Sequence, residues 1–212
     1  MLTLYAWPTP NGQKLFIMLE ELGELYETRF VNLAKNEQFD PEFLRIAPNN
    51  KIPALVDDAA EEGPLALFES GAILHYLAER HGRLLAPAGH ARWYALQWLN
   101  WQIGGLGPML GQLGYFGLRA EDKVPQAIDR FTDEASRLIA VLDKRLGEAR
   151  YLAGDDYSIA DIATYPWAKA ADTRFTTLLG DALGNASHLH RWLSDVGARP
   201  AVERAMAIKP PT

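Results

Sequence analysis

Two stretches decide how this 212-residue chain folds: Asn49-Asn50-Lys51-Ile52-Pro53-Ala54-Leu55-Val56 and Leu65-Ala66-Leu67-Phe68-Glu69-Ser70-Gly71. In the first, Pro48, Asn49 and Asn50 mark a polar turn, and the apolar run from Pro53 to Val56 reads as a short strand. A proline has no N–H, and it pushes Ile52 before it to an extended backbone. A cis Ile52–Pro53 bond, which costs about 0.5–1 kcal/mol for an X–Pro pair, would turn the N–H and C=O of Ile52 toward a ligand. In the second stretch a strand, Leu65 to Phe68, passes directly into a helix that opens at Ser70. A helix start carries unsatisfied N–H groups and partial positive charge, so it attracts a carboxylate. Glu69 beside it can hold an ammonium. The combination suits a small peptide-like zwitterion, its backbone paired to Ile52 and its charged ends at Glu69 and Ser70.

Working outward, Leu2 to Ala6 is a short strand, and Trp7-Pro8-Thr9-Pro10-Asn11-Gly12 is a loop dense in turn residues. From Lys14 the stripe Leu15, Met18, Leu19, Leu22 recurs at three and four, a helix ended by Gly23. Tyr26 to Leu33 reads as a second strand. Asp40 and Pro41 supply an N-cap and a first-turn proline for a short helix over Glu42 to Ile46. Residues 82–87 are the best linker, dividing a first domain at 1–81 from a second at 88–212. No strand signal of any strength lies beyond it.

That second half carries helical stripes instead. Trp93, Leu96, Leu99 and Ile103 form one, interrupted at Gly104-Gly105-Leu106-Gly107-Pro108; Val124, Ile128, Phe131, Ala135, Leu138, Leu142 and Leu146 form the cleanest. Trp93, Trp98 and Trp101 read as core or interface. At Tyr157-Ser158-Ile159-Ala160-Asp161-Ile162 a helix starts, with Ser158 as cap, Asp161 at the third position and Tyr157 placed to staple onto Ile162. Short helices fit Ser187 to Val196 and Pro200 to Ala207.

Composition narrows the function classes. A hydrophobic content of 48% with 23% charged residues is ordinary for a soluble globular protein. The net charge of -6 argues against a nucleic-acid surface. No run of eighteen apolar residues is present to span a membrane, and Met1-Leu2-Thr3-Leu4-Tyr5 lacks a basic n-region, so a cytoplasmic protein is expected. There is no cysteine, which removes disulfides and thiolate metal sites. The five histidines show no ligand spacing, so no metal is expected. The glycine run at 104–107 lacks a following Lys-Ser/Thr and is no phosphate loop.

The segments PNNKIPALVD (48–57) and LFESGAILHYLAE (67–79) resemble the glutathione-binding half of the cytosolic glutathione S-transferases. PTPNGQK (8–14), LQWLNWQIGGLGPMLGQ (96–112) and YSIADIATYPW (157–167) are most similar to the bacterial Nu-class (Ure2p-like) members. The resemblance extends over nearly the whole chain. It implies an α/β thioredoxin-like N-terminal domain, ordered β-α-β-α-β-β-α, followed by an all-α C-terminal domain. It also implies a cytoplasmic homodimer with glutathione as co-substrate.

A glutathione enzyme must stabilise the thiolate, because a thiol near its free pKa of about 8.5 is mostly protonated at neutral pH. Without a cysteine the protein cannot form a mixed disulfide itself, so donors at the start of the first helix must serve the sulfur. The resemblance puts Thr9 and Asn11 there, with Tyr5 as the rival. It assigns Gln38, Lys51, Ile52, Pro53, Glu69 and Ser70 to glutathione, and Arg130 to a carboxylate of glutathione disulfide. Each has a plainer reading. Asn11-Gly12 is a turn dipeptide, Ser70 a cap, Glu69 a first-turn acid, and Gln38 and Lys51 solvated surface. Arg130 is spaced to pair with Glu134. The favoured activity is reduction of a disulfide by two glutathiones. The alternatives are conjugation of electrophiles or hydroperoxide reduction in the same site, and a non-catalytic interaction module.

Overall fold

The computed structural model describes residues 1–211 and opens with strand β1 (Leu2–Ala6), whose Leu2, Leu4 and Ala6 are buried. Strands β2 (Tyr26–Phe30), β3 (Ala54–Asp57) and β4 (Leu65–Phe68) complete a four-stranded sheet in the order β2-β1-β3-β4. β1 is parallel to β2 and antiparallel to β3, with Leu4 opposite Thr28 on one side and Leu55 on the other. β3 and β4 are antiparallel, Leu55 facing Leu67. Helices α1 (Pro10–Leu22), α2 (Pro41–Ile46) and α3 (Ser70–His81) intervene, giving the β-α-β-α-β-β-α order of a thioredoxin-like domain.

Local chemistry moves several boundaries. β2 ends at Phe30 rather than Leu33. The Asn32 side chain accepts from the N–H groups of Ala34 (3.0 Å) and Lys35 (3.3 Å) and starts a 3₁₀ turn over Leu33–Lys35. α1 begins at Pro10, four residues before the Lys14 start that the stripe predicts, because Thr9 caps it and a proline at the first helical position forfeits no hydrogen bond. Asp40 precedes α2 without a side-chain cap bond. β3 is tied to α3 through buried Asp57, which pairs with Arg80 and accepts from the Tyr76 hydroxyl at 2.5 Å.

The chain divides into two compact units, Met1–Leu85 together with the segment from Ala198 onward, and Ala86–Gly197. The returning segment forms α10 (Pro200–Ala207), which packs along α1. Arg199 clasps Glu21 through two bonds of 2.6 and 2.9 Å, and Arg204 reaches Glu20 at 2.7 Å.

The second unit is helical, and its described residues hold no strand beyond an isolated bridge between Tyr151 and Gly154. Its helices are α4 (Gly89–Trp101), α5 (Gly107–Leu113), α6 (Pro125–Glu148), α7 (Ile159–Arg174), α8 (Thr176–Gly184) and α9 (Ser187–Gly197). On α4 the buried face is Ala95 and Leu99, and Trp93 is 65% exposed, so of core and interface the core reading fails for it. The glycine-rich interruption is a π-helical turn over Gln102–Leu106. A Cβ on Gly107 would lie 2.6 Å from Gln102 Nε2 and 3.3 Å from Trp167 Nε1, so bare backbone is what lets this turn approach α7. On α6 the stripe is buried from Ala135 to Leu146, while Val124 precedes the helix half exposed. The start of α7 is a capping box. Asp161, fully buried, accepts from Leu152 N, Ser158 N and Oγ, and Trp192 Nε1 at 2.9–3.1 Å. Tyr157 sets its ring edge-on to Tyr151, with centroids 5.6 Å apart. No helix among the described residues is long and apolar enough to cross a membrane.

Candidate functional site

The site is built where two helix starts meet a strand entry within the first unit. At α1, Thr9 has extended backbone angles and its Oγ1 accepts from Gly12 N at 3.4 Å. Gly12 is obligatory at this position, since a Cβ there would lie 2.0 Å from the Trp7 carbonyl oxygen. The close approach of Trp7 fixes the path of the loop and hence the place of Asn11 at the second helical position. There is no acid in the first turn of α1 to cancel its positive end.

Opposite lies the Ile52–Pro53 peptide, which is cis, leading into β3. At the head of α3, Glu69 has φ of 72°, a left-handed conformation that a non-glycine residue adopts only when its surroundings hold it there. Glu69 is itself the residue preceding the helix, and Ser70 is the first helical residue. Ser70 is therefore not the cap, and its Oγ accepts from Lys14 Nζ at 3.2 Å.

These pieces line one cavity of about 160 Å³: Asn11, Lys51, Ile52, Pro53, Phe68, Glu69 and Ser70. Pockets that enclose a drug-sized molecule run roughly 300–1,000 Å³, so this one grips an end of a peptide rather than the whole. It offers a backbone edge at Ile52, a carboxylate at Glu69, an ammonium at Lys51, and a hydroxyl at a helix start. That set is complementary to an amino-acid head carrying both charges, with room for a chain extending toward Asn11.

Six of the residues singled out from sequence share this cavity; three do not line it. Thr9 sits two residues before Asn11 in the cap. Gln38 lies in a 3₁₀ turn (Glu37–Phe39), its Oε1 buried with no hydrogen-bond partner among the described residues. Arg130 is exposed on α6 in the second unit. Its expected partner Glu134 instead takes a two-bond clasp from Arg137 at 2.7 and 2.8 Å. Tyr5 packs against Phe43 with Arg29 over its ring, and does not line the cavity.

Lys14 escaped the sequence reading. It is 2% exposed, and burial pulls its ammonium down to about 7, opposed by the attraction of Glu69. The signal was its register: Lys14 stands four residues before Met18, on the face that the rest of α1 buries. Among the described residues no cluster of acids and histidines could hold a metal ion.

The sequence profile of the glutathione S-transferase N-terminal domain matches residues 1–79, and that of the C-terminal domain matches residues 125–195. The chain is 48% identical to the Escherichia coli disulfide-bond oxidoreductase YfcG, an alignment covering 97% of this chain and 94% of the relative. A Pseudomonas fluorescens glutathione transferase family member, solved with two glutathione bound, superposes with a TM-score of 0.91 at 46% identity, covering 97% of this chain and 92% of that one. A Pseudomonas putida glutathione transferase, solved with one glutathione disulfide per subunit, gives 0.93 at 42% identity over 99% and 92%.

Proposed function

The chain belongs to the glutathione S-transferase family, and from that membership we propose that it is a glutathione-dependent disulfide-bond reductase. The observation that carries the reading is a cavity complementary to an amino-acid head of both charges in a chain with no cysteine. Every sulfur that reacts must then arrive with a substrate. The glutathione backbone pairs with Ile52, its amino-acid head lies between Glu69 and Ser70, and Lys51 adds a cation at the rim. The thiol reaches the start of α1, where Thr9 and Asn11 donate to the thiolate and the helix end favours its charge. The thiolate attacks one sulfur of the substrate disulfide, that S–S bond breaks, and the leaving thiolate takes up a proton. A second glutathione then attacks the mixed disulfide, releasing the second substrate thiol and glutathione disulfide. Support comes from the YfcG relative, a disulfide-bond oxidoreductase, and from the two Pseudomonas relatives, one holding two glutathiones and the other the oxidised product. In this reading Gln38 joins the glutathione contacts, and the protein works as a cytoplasmic homodimer.

The test is reduction of 2-hydroxyethyl disulfide by glutathione, coupled to glutathione reductase, for wild type, Thr9→Ala, Asn11→Ala and Tyr5→Phe. A loss of tenfold or more, about 1.4 kcal/mol, is expected in Thr9→Ala or Asn11→Ala and none in Tyr5→Phe. A wild type inactive on the disulfide yet active on 1-chloro-2,4-dinitrobenzene would replace this reading with conjugation. Sensitivity to Tyr5 alone would move the sulfur site to β1.

A further inference from the structure

Lys14 serves none of the roles above, yet an ammonium is seldom buried without a use. It sits inside α1, and its Nζ lies 3.2 Å from Ser70 Oγ, on the protein side of a residue that lines the cavity. An ammonium only donates, whereas a hydroxyl donates once and accepts twice. With charged Lys14 on one lone pair, the Ser70 proton points away from Nζ.

We propose that Lys14 is the positioning residue for the carboxylate end of the glutathione site: from behind Ser70 it aims the hydroxyl proton into the cavity and backs the bound anion with a positive charge. The proposal rests on the glutathione reading given above. It makes the anion site two layers deep, with Ser70 and the start of α3 in contact with the ligand and Lys14 beneath them.

The charges around Lys14 make this site sensitive to protons. Glu69 is the neighbour whose charge acts on it. Groups on the elements packed against α1 are engaged elsewhere. On α3, His75 pairs with Glu79, Tyr76 and Arg80 hold Asp57, and His81 meets Glu24 of α1; from the C-terminal segment, Arg199 and Arg204 take Glu21 and Glu20. Burial leaves Lys14 only partly charged just above pH 7. A carboxylate arriving at Ser70 favours the charged lysine. Filling the site therefore draws a proton onto Lys14, and affinity falls as pH rises.

Titration calorimetry with S-methylglutathione, whose capped sulfur does not ionise, tests this in phosphate and Tris buffers from pH 6.5 to 9. Wild type is expected to take up on the order of half a proton at pH 7.5 and to bind about tenfold more weakly at pH 9, the factor that corresponds to one unit of change at Lys14 on binding. Lys14→Met should bind about tenfold more weakly at pH 6.5, with little uptake, and meet wild type by pH 9. Lys14→Gln, which keeps a donor without the charge, should recover part of the affinity and none of the uptake. A flat wild-type profile, or variants that match wild type in affinity and uptake, would overturn the proposal while leaving the glutathione reading intact. No binding by wild type would overturn both.

Discussion

Replacing Lys14 with methionine is expected to strengthen the fold while weakening the site. In the unfolded chain the ammonium titrates near its usual 10.5, and burial in the native state brings it down to about 7. The native fold thus favours the neutral amine, and the unfolded chain binds the extra proton between those two values. Stability contributed by this group is full above pH 10.5, falls by about 1.4 kcal/mol for each unit that pH drops, and levels out below 7. At and below pH 7 the deficit is on the order of 4–5 kcal/mol. Methionine removes it, at the cost of a donor to Ser70 of about 1 kcal/mol. The variant should therefore exceed wild type by roughly 3 kcal/mol at pH 6.5, with the advantage shrinking steadily toward pH 9.5. Urea unfolding followed by far-ultraviolet circular dichroism at one-unit intervals measures both quantities. A variant less stable than wild type at pH 6.5, or a difference that ignores pH, would refute the reasoning, because a lysine that stays charged in the native fold gives that pattern.

Asp161→Asn should be far more damaging than its shape suggests. Oδ1 takes the N–H groups of Leu152 and Trp192 while Oδ2 takes Ser158 N and Oγ, so an amide places NH₂ against two donors on either side. A loss on the order of 3–5 kcal/mol follows, read as a fall in the thermal midpoint; a change within 1 °C would contradict it. Gly12→Ala must move the Trp7 carbonyl, which the added methyl would meet at 2.0 Å. A destabilisation of about 3 kcal/mol should accompany loss of S-methylglutathione binding, and an alanine variant binding normally would show that the loop yields.

Much of the site was legible because its parts are neighbours in sequence. Ile52–Pro53 and Glu69–Ser70 each announce an exposed backbone edge or a helix start within a few residues. That they share a cavity with Asn11 follows from the antiparallel pairing of β1 with β3 and of β3 with β4, which no local pattern states. Lys14 was missed because a lysine in a helix reads as surface, although its register with Met18 placed it inside. Trp93, read as core or interface, is not core, because burial on α4 follows Ala95 and Leu99. The pairing of Arg130 with Glu134 met a competitor that spacing cannot rank, since Arg137 offers Glu134 both bonds of its guanidinium.

The return of α10 to α1 has a consequence for how the chain is made. The first unit is not finished when its first 85 residues have left the ribosome. It lacks the helix that covers α1 and the guanidinium that neutralises the nearly buried Glu21 carboxylate. The helical unit is complete once Gly197 has emerged, and the unit encoded first is closed last. Synthesis thus delivers the whole helical unit before the segment that covers α1.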